Sequence, residues 1–412
     1  MFHLYNFLAR SSWSLLQLVA PFSPKLKLFV SGRKMSFQIL KDNIAPNDLT
    51  IWIHVASLGE FEQGLPIIEK LRVAYPSHKI LLTFFSPSGY EIKKNTPVAD
   101  VVIYLPMDTR KNVARFIALA HPDLALFVKY EIWPNYLKTL NDKKIPTLLV
   151  SAIFKKEQIY FKGYGGFMRK ALASFTHIFV QDEQSEALLN TIPITNTTVC
   201  GDTRLDRVSE ILERDNSLPF MQAFKKDRLC LVAGSTWPED EEILISYINN
   251  SPKNLKFVLA PHTIKTDKIM GLLGAITKKS LLYSKMEGVA LGEYEVLIID
   301  HIGLLTKIYS YADIAYVGGG FATGLHNTLE PAIFGIPVII GPKYKGFKEA
   351  EELVALKGIL VVADPWDFGE LMKKMLDHQD FRSKTGAVNT GYIVKNKGAS
   401  IRIMDYIRTL LR

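Results

Sequence analysis

Short apolar runs alternate with amphipathic stretches along most of the chain. The first half contains six or seven runs with the length and composition of buried strands, at 49–56, 79–85, 100–105, 123–128, 147–153, 177–181 and 198–201. A second series follows at 229–233, 255–260, 296–300, 314–317, 337–340 and 359–363. The stretches between them repeat their apolar positions with the period of a helix. This alternation predicts an α/β protein with two domains, each built on a parallel sheet.

The stretch from Ala315 to Pro342 gives the clearest indication of a ligand. A strand ends there in Gly318-Gly319-Gly320, a helical pattern covers about 327–334, and a second strand follows. This order predicts a βαβ unit whose turn lets a phosphate approach the backbone. Two interpretations are open, a tight turn alone or a nucleotide site. His326, Asn327 and Glu330 at the same strand end favour the nucleotide site, in which the Glu330 carboxylate would bind ribose hydroxyls. The candidate residues of this site are Gly319, Gly320, Phe321, His326, Asn327 and Glu330.

A second candidate is Glu60, which follows the strand at 49–56 and begins a helical pattern at 61–74. The helix dipole at this position is expected to lower the pKa of the carboxyl group and keep it ionised near neutral pH. An ionised, fixed carboxylate can act as a general base toward a sugar hydroxyl. The residues alone leave this role and simple helix capping equally open.

Other polar residues also follow predicted strands, and each has a plain structural alternative. Ser57 and Gly59 precede Glu60, Ser86 and Ser88 lie in a Ser-Pro-Ser-Gly turn, and Glu131 follows the strand at 123–128. In the second half, Ser235 or Thr236 could cap the next helix, and His262 follows the strand at 255–260. Because ligands bind at the carboxyl edge of open α/β sheets, these positions are candidates for ligand contacts.

Composition narrows the class of protein and its partners. The 412 residues suit two globular domains, with 48% hydrophobic and 22% charged residues, and the formal net charge is +9. That charge fits an acidic partner, but no motif for nucleic-acid binding is present. Cys200 and Cys230 lie in apolar runs and are interpreted as reduced core residues, and no metal-ligand spacing occurs.

The first 41 residues contain no Asp or Glu but six Lys or Arg residues, around an apolar, aromatic segment from Trp13 to Phe22. The apolar length falls short of the ~20 residues of a spanning helix. We expect an interfacial segment on an anionic membrane surface. A helix packed on the first domain is the alternative, and the sequence does not decide between lying on the membrane and spanning it.

Three motifs resemble the 3-deoxy-D-manno-octulosonic acid (Kdo) transferases of Gram-negative bacteria. They are HVASLGE at 54–60, KYEIWPN at 129–135, and GGGF followed by HNTLEPAIFGIPVIIGP from 318 to 342. The resemblance implies the GT-B fold, with two Rossmann-like parallel-sheet domains facing a cleft between them. It also implies that Glu60 is the catalytic base. Ser57, Gly59, Ser86, Ser88 and Glu131 would then contact the acceptor, while Ser235, Thr236, His262 and the glycine-turn residues would bind the donor.

The implied reaction is an inverting transfer of Kdo from CMP-Kdo to a lipid A precursor (lipid IVA), with release of CMP. It requires no metal or cofactor and no obligate protein partner, and it takes place at the cytoplasmic face of the inner membrane. The chain departs from the family at two positions. Lys129 replaces the first Glu of the family's Glu-Thr-Glu-Leu-Trp-Pro-Asn motif. Leu304 replaces the Glu of the family's Asp-Thr-x-Gly-Glu-Leu motif, which begins here at Asp300. A transferase using a UDP-sugar and a non-catalytic lipopolysaccharide-binding protein are the alternatives.

The predicted domain organisation follows from these assignments. A membrane-associating segment is expected at 1–35, an acceptor-binding domain at 36–205 and a CMP-sugar-binding domain at 216–385. By analogy with GT-B proteins, helices within 386–412 are expected to cross back to the first domain.

Overall fold

The computed structural model describes residues 1–322 and 324–411. They form two compact units, one from Met1 to Arg207 together with the stretch from Lys397, the other from Val208 to Asn396. The stretch from Lys397, which lies within the predicted crossing segment 386–412, thus belongs to the first unit. Arg412, the last residue of the predicted crossing helices, lies outside the described residues.

The first unit contains a sheet of seven parallel strands. In chain order they are β1 (Leu49–Val55), β2 (His78–Phe84), β3 (Val101–Tyr104), β4 (Leu124–Val128), β5 (Thr147–Ala152), β6 (His177–Val180) and β7 (Thr197–Val199). Their spatial order is β3-β2-β1-β4-β5-β6-β7. The predicted runs are therefore confirmed as strands, and the order changes direction between β1 and β4.

The second unit also contains seven parallel strands. They are β8 (Leu229–Thr236), β9 (Leu255–Pro261), β10 (Ser280–Leu282), β11 (Val296–Ile298), β12 (Ile314–Val317), β13 (Val338–Ile340) and β14 (Ile359–Val361). Their order is β10-β11-β9-β8-β12-β13-β14, so the direction changes between β8 and β12. β10 was not among the predicted strands, since it has only three residues and lies at the sheet edge.

Helices cover both sheets, as connections between parallel strands require. They are α1 (Phe2–Val19), α2 (Pro24–Asn43), α3 (Leu58–Ala74), α4 (Pro87–Lys93), α5 (Arg110–Ala120), α6 (Pro134–Asp142), α7 (Gly166–Leu172), α8 (Glu183–Asn190), α9 (Thr203–Ser209), α10 (Pro219–Lys225), α11 (Pro238–Asn250), α12 (Thr266–Ala275), α13 (Leu305–Tyr309), α14 (Leu329–Ala332), α15 (Lys348–Ala355), α16 (Pro365–Asp377), α17 (Gln379–Asn396) and α18 (Ala399–Leu410).

The last helix, α18, is part of the first unit's core. Ile403 and Ile407 are fully buried in the same apolar cluster as Ile67 and Ile68 of α3. The carboxylate of Asp206 accepts hydrogen bonds from the backbone N–H groups of Gly398 and Ser400 at the start of this helix. The C-terminal stretch therefore completes one side of the first sheet.

The N-terminal helices α1 and α2 also belong to the first unit. The guanidinium of Arg33 in α2 is buried, stacks 3.5 Å from the Phe29 ring centroid, and donates to the carbonyl of Phe85 at 2.7 Å. This contact fixes α2 to the loop that follows β2. Among the described residues, no helix has both the length and the apolar character needed to cross a bilayer.

Candidate active site

In the first unit, Glu60 lies beside the point where the strand order reverses. Glu60 is in the first turn of α3, directly after β1, and β1 lies between β2 and β4. Open α/β sheets bind ligands outside the carboxyl ends of the strands at such a point. The hydroxyl of Ser57 caps α3 by accepting the Glu60 N–H at 3.4 Å. The structure therefore places Glu60 where the sequence analysis predicted it.

The pKa of Glu60 is shifted in the opposite direction from the prediction, upward rather than downward. The residue is only 8% exposed, and burial raises the pKa of its carboxyl group to about 7. The nearby carboxylate of Glu131 raises this pKa further, while the Ala56 N–H that bonds to the carboxylate and the ammonium of Lys129 lower it. Desolvation thus outweighs the helix dipole. A base with a pKa near neutral pH is well matched to proton transfer.

Glu131 follows β4 and is hydrogen-bonded to His54 of β1. Its Oε2 lies 3.0 Å from His54 Nε2 and accepts the indole N–H of Trp133 at 2.9 Å. The side chain is 13% exposed. No hydrogen bond to its Oε1 occurs within the part of the chain that the structure describes. One oxygen is therefore held by the protein, and the other can accept a hydrogen bond from a ligand.

His54, the first residue of the HVASLGE motif, was not among the predicted site residues. His54 is fully buried, and its Nδ1 lies 2.9 Å from the hydroxyl of Thr83. That hydroxyl in turn accepts the indole N–H of Trp52 at 2.9 Å. A chain of hydrogen bonds thus leads from the core to Glu131. A His within an otherwise apolar strand was the available signal, because buried polar groups require partners.

The predicted acceptor residues share this edge of the sheet. Ser86 caps α4, its hydroxyl lies 2.8 Å from that of Ser88, and its backbone N–H donates to Ala56 at 2.8 Å. A Cβ atom at Gly59 would meet only the Ser57 hydroxyl, at 4.0 Å. The structure brings Ser57, Gly59, Ser86 and Ser88 to the end of β1, and their contact with an acceptor stays a prediction.

In the second unit, the three glycines pack against the protein's own backbone. A Cβ atom would lie 2.4 Å from the Ser235 carbonyl oxygen at Gly318, 2.1 Å from that of Gly324 at Gly319, and 2.6 Å from the Gly341 nitrogen at Gly320. Contacts this short are not tolerated by any side chain. The glycines therefore serve the tight turn, whether or not a ligand also approaches it.

The turn offers fewer free N–H groups than predicted. The N–H of Gly319 donates to the buried carboxylate of Asp240 at 2.8 Å, so it is not available to a phosphate, and this part of the prediction was wrong. The helix after the turn, α14, has four residues rather than the predicted eight, which limits its dipole. The amides of Gly320 and Phe321 donate to no acceptor within the described residues.

Trp237 follows β8 and organises the two histidines of the site. Its ring is stacked on that of His262 at 4.7 Å, and its N–H donates to Nε2 of His326 at 2.9 Å. Because an indole nitrogen only donates, Nε2 of His326 carries no proton in this arrangement. Burial lowers the pKa of His326, which also favours the neutral ring. Its Nδ1–H is then a donor available to a ligand oxygen.

The remaining predicted donor residues lie around the same strand ends. The Glu330 carboxylate accepts from the Thr306 hydroxyl at 2.6 Å and from the Asn327 amide at 3.1 Å, so ribose binding would compete with or add to these bonds.

The Thr236 hydroxyl is buried and donates a hydrogen bond to the Glu241 carboxylate at 3.0 Å. The first turn of α11 is capped by Asp240, which accepts the Trp237 N–H at 2.9 Å. Capping by Ser235 or Thr236 was therefore a wrong expectation.

Among residues 1–322 and 324–411, no group of three or more His, Cys, Asp or Glu side chains could hold a metal ion.

Comparison with known proteins supports the resemblance. The family model "3-Deoxy-D-manno-octulosonic-acid transferase (kdotransferase)" matches residues 31–207. The 3-deoxy-D-manno-octulosonic acid transferase of Haemophilus influenzae is 29% identical over 377 residues, which cover 88% of this chain and 87% of that protein. The enzyme of the same name from Aquifex aeolicus is 29% identical over 336 residues, with 79% and 86% covered.

Solved structures confirm the fold class. UDP-GlcNAc 2-epimerase from Neisseria meningitidis, solved with UDP-GlcNAc bound, has a TM-score of 0.61 and 17% identity, covering 88% of this chain and all of that one. At this identity the likeness concerns the fold alone, and it agrees with the predicted GT-B class. The relatives match most of the chain, and the motifs that carry the resemblance lie at the reversal points of both sheets. The chain is thus a homologue of the Kdo transferases, a family of glycosyltransferases.

Proposed function

We propose that the protein transfers Kdo from CMP-Kdo to a lipid A precursor with inversion at the anomeric carbon. The observation that carries this proposal is the buried carboxyl group of Glu60, whose pKa of about 7 suits a general base. It lies at the reversal point of the first sheet, in a motif shared with the family.

The proposed step is a single displacement. Glu60 removes the proton from a hydroxyl group of the lipid A disaccharide as its oxygen attacks the anomeric carbon of Kdo. The bond from that carbon to the phosphate oxygen breaks, and CMP leaves. One displacement with one base inverts the configuration. The scheme uses only side chains and backbone of this protein, with the nucleotide on the second unit near Gly320, His326 and Glu330.

The test is incubation of the purified protein with CMP-Kdo and lipid IVA, with products measured by mass spectrometry. We expect a mass gain of one or more Kdo units, and a loss of turnover in Glu60→Gln by about 10³-fold. Glu62→Gln, two residues further along α3, is the control. If the wild-type protein transfers nothing from CMP-Kdo but does transfer from a UDP-sugar, the donor is wrong. Binding of the lipid without transfer from any donor would instead favour a binding protein.

We also propose that α1 and α2 lie on the anionic cytoplasmic surface of the inner membrane. Large apolar side chains are exposed on α1 and on the turn that joins it to α2, with Phe7 65%, Leu18 72% and Phe22 88% exposed. Exposed basic residues accompany them: Arg10, Lys25, Lys27 and Lys34. Apolar groups beside cations bind an anionic interface.

Flotation with lipid vesicles tests this docking. The double variant Phe7→Ser/Phe22→Ser should lose most of its binding to vesicles that contain an anionic lipid, while wild-type protein binds them better than zwitterionic ones. Val73→Ser removes an equally exposed apolar residue elsewhere in the first unit and should bind normally. Equal flotation of all three proteins would overturn the proposal.

A further inference from the structure

The backbone of the glycine turn in the second unit does not by itself supply the positive charge that a nucleotide phosphate requires. One of its amides is occupied by Asp240, and that carboxylate is itself negative. The helix that follows has only four residues. The amides of Gly320 and Phe321, which donate to no acceptor among the described residues, remain for a phosphate that carries up to two negative charges at neutral pH. Phosphate sites normally add a cation to such amides.

Lys343 supplies a cation at this turn. It follows β13, which pairs with β12 in the sheet. Its Nζ donates to the carbonyl oxygens of Phe321 at 3.1 Å and Ala322 at 3.2 Å, and its backbone N–H donates to Gly320 at 2.8 Å. The ammonium is therefore held directly on the loop that carries the amides of Gly320 and Phe321.

The hydrogen-bond inventory of Lys343 leaves room for a ligand. An ammonium has three donors, and two of them are used by the two carbonyls. No carboxylate forms an ion pair with Lys343 among the residues that the structure describes. A cation that is fixed by neutral carbonyl groups keeps its full charge for an anion, whereas one paired with a carboxylate does not.

We infer that Lys343 binds the donor's phosphate, together with the amides of Gly320 and Phe321. This inference rests on the proposed donor being a nucleotide sugar. The same ammonium would stabilise the charge that develops on the phosphate as CMP leaves, because a fixed cation acts most strongly where charge accumulates. Lys343 was not among the residues that the sequence predicted, since a single exposed lysine carries no recognisable signal.

The test compares the affinities of CMP and cytidine for purified full-length protein by calorimetry. Lys343→Met should weaken CMP binding about tenfold, as expected for the loss of one charge-assisted hydrogen bond at a partly exposed site. Cytidine binding should not change, because cytidine has no phosphate. Lys343→Arg should restore much of the CMP affinity. Lys345→Met, an exposed lysine two residues away beside the Tyr344 ring, is the charge-matched control and should behave as wild type.

The inference is overturned if Lys343→Met binds CMP as tightly as wild type. It is also overturned if CMP and cytidine lose affinity equally, since that result means a loosened turn rather than a lost phosphate contact. If wild-type protein binds UMP but not CMP, the proposed donor is wrong, and the same comparison with UMP and uridine still tests Lys343. Binding of no nucleoside monophosphate by wild-type protein would overturn both proposals.

Discussion

The two sheets place candidate ligand residues at the same kind of edge, but they present different chemical groups there. At the end of β1 the first unit presents side chains, with two carboxylates held by hydrogen bonds to the buried His54 and to the Ala56 N–H. At the end of β12 the second unit presents mainly backbone, in a turn so tightly packed that no side chain fits at its three glycines. Proton transfer needs a titratable group, whereas holding a phosphate needs donors and charge. These are the two requirements of a transfer reaction in which one substrate loses a proton and the other carries a phosphate.

This comparison separates the consequences of mutation in the two units. In the first unit, replacing a side chain of the site should lower activity with little effect on stability. In the second, replacing a glycine should disturb the fold first, and binding as a consequence.

The largest expected effect is the loss of turnover in Glu60→Gln without loss of stability. A carboxyl group whose pKa is higher in the folded protein gains stability as pH falls from about 7 toward its ordinary value near 4.5. Above pH 7 the buried charge is instead destabilising. The Tm of Glu60→Gln at pH 8 should therefore equal or exceed that of wild type, while turnover falls about 10³-fold. A clearly lower Tm would show that the residue mainly caps the helix.

The second effect concerns stability in the second unit. Gly319 has φ of 93° and a Cβ atom there would lie 2.1 Å from the Gly324 carbonyl oxygen. Gly319→Ala should reduce the free energy of unfolding by about 3 kcal/mol through overpacking and backbone strain. Chemical denaturation measures this change.

Gly271→Ala is the matched control for Gly319→Ala. Gly271 lies in α12, where a Cβ atom would meet nothing within 4 Å, so the substitution should be neutral or slightly stabilising. An equal response of the two variants would mean that the turn is not tightly packed.

The smallest effect is a shift in the pH profile. The Glu131 carboxylate raises the pKa of Glu60, so Glu131→Gln should move the acidic limb of kcat/KM to lower pH, by about one unit or less. Lys129→Met should move it to higher pH, because the ammonium has the opposite effect.

Glu183→Gln, an exposed acid on α8, controls for general charge effects. Movement of the limb in the same direction in both site variants would contradict the assignment of Glu60 as the titrating group.

The sequence predicted local features well because they depend on neighbouring residues. The strands, the glycine turn and the position of Glu60 at the start of α3 all follow from short patterns. The features it missed depend on contacts between distant segments. His54 and Glu131 are 77 residues apart, and Asp240 and Gly319 are 79 apart. The sign of the pKa shift of Glu60 also depends on burial, which a helix-terminus argument does not include.

The return of the chain to the first unit has a consequence for protein synthesis. The core beneath α3 contains side chains from α18, which is synthesised only after the whole of the second unit. The second unit, by contrast, is encoded by one continuous stretch. It can complete its folding while the first unit still lacks part of its apolar core, and during that interval the first unit exposes a surface that chaperones recognise. The second unit can therefore finish folding before the first unit, although synthesis of the first unit begins earlier.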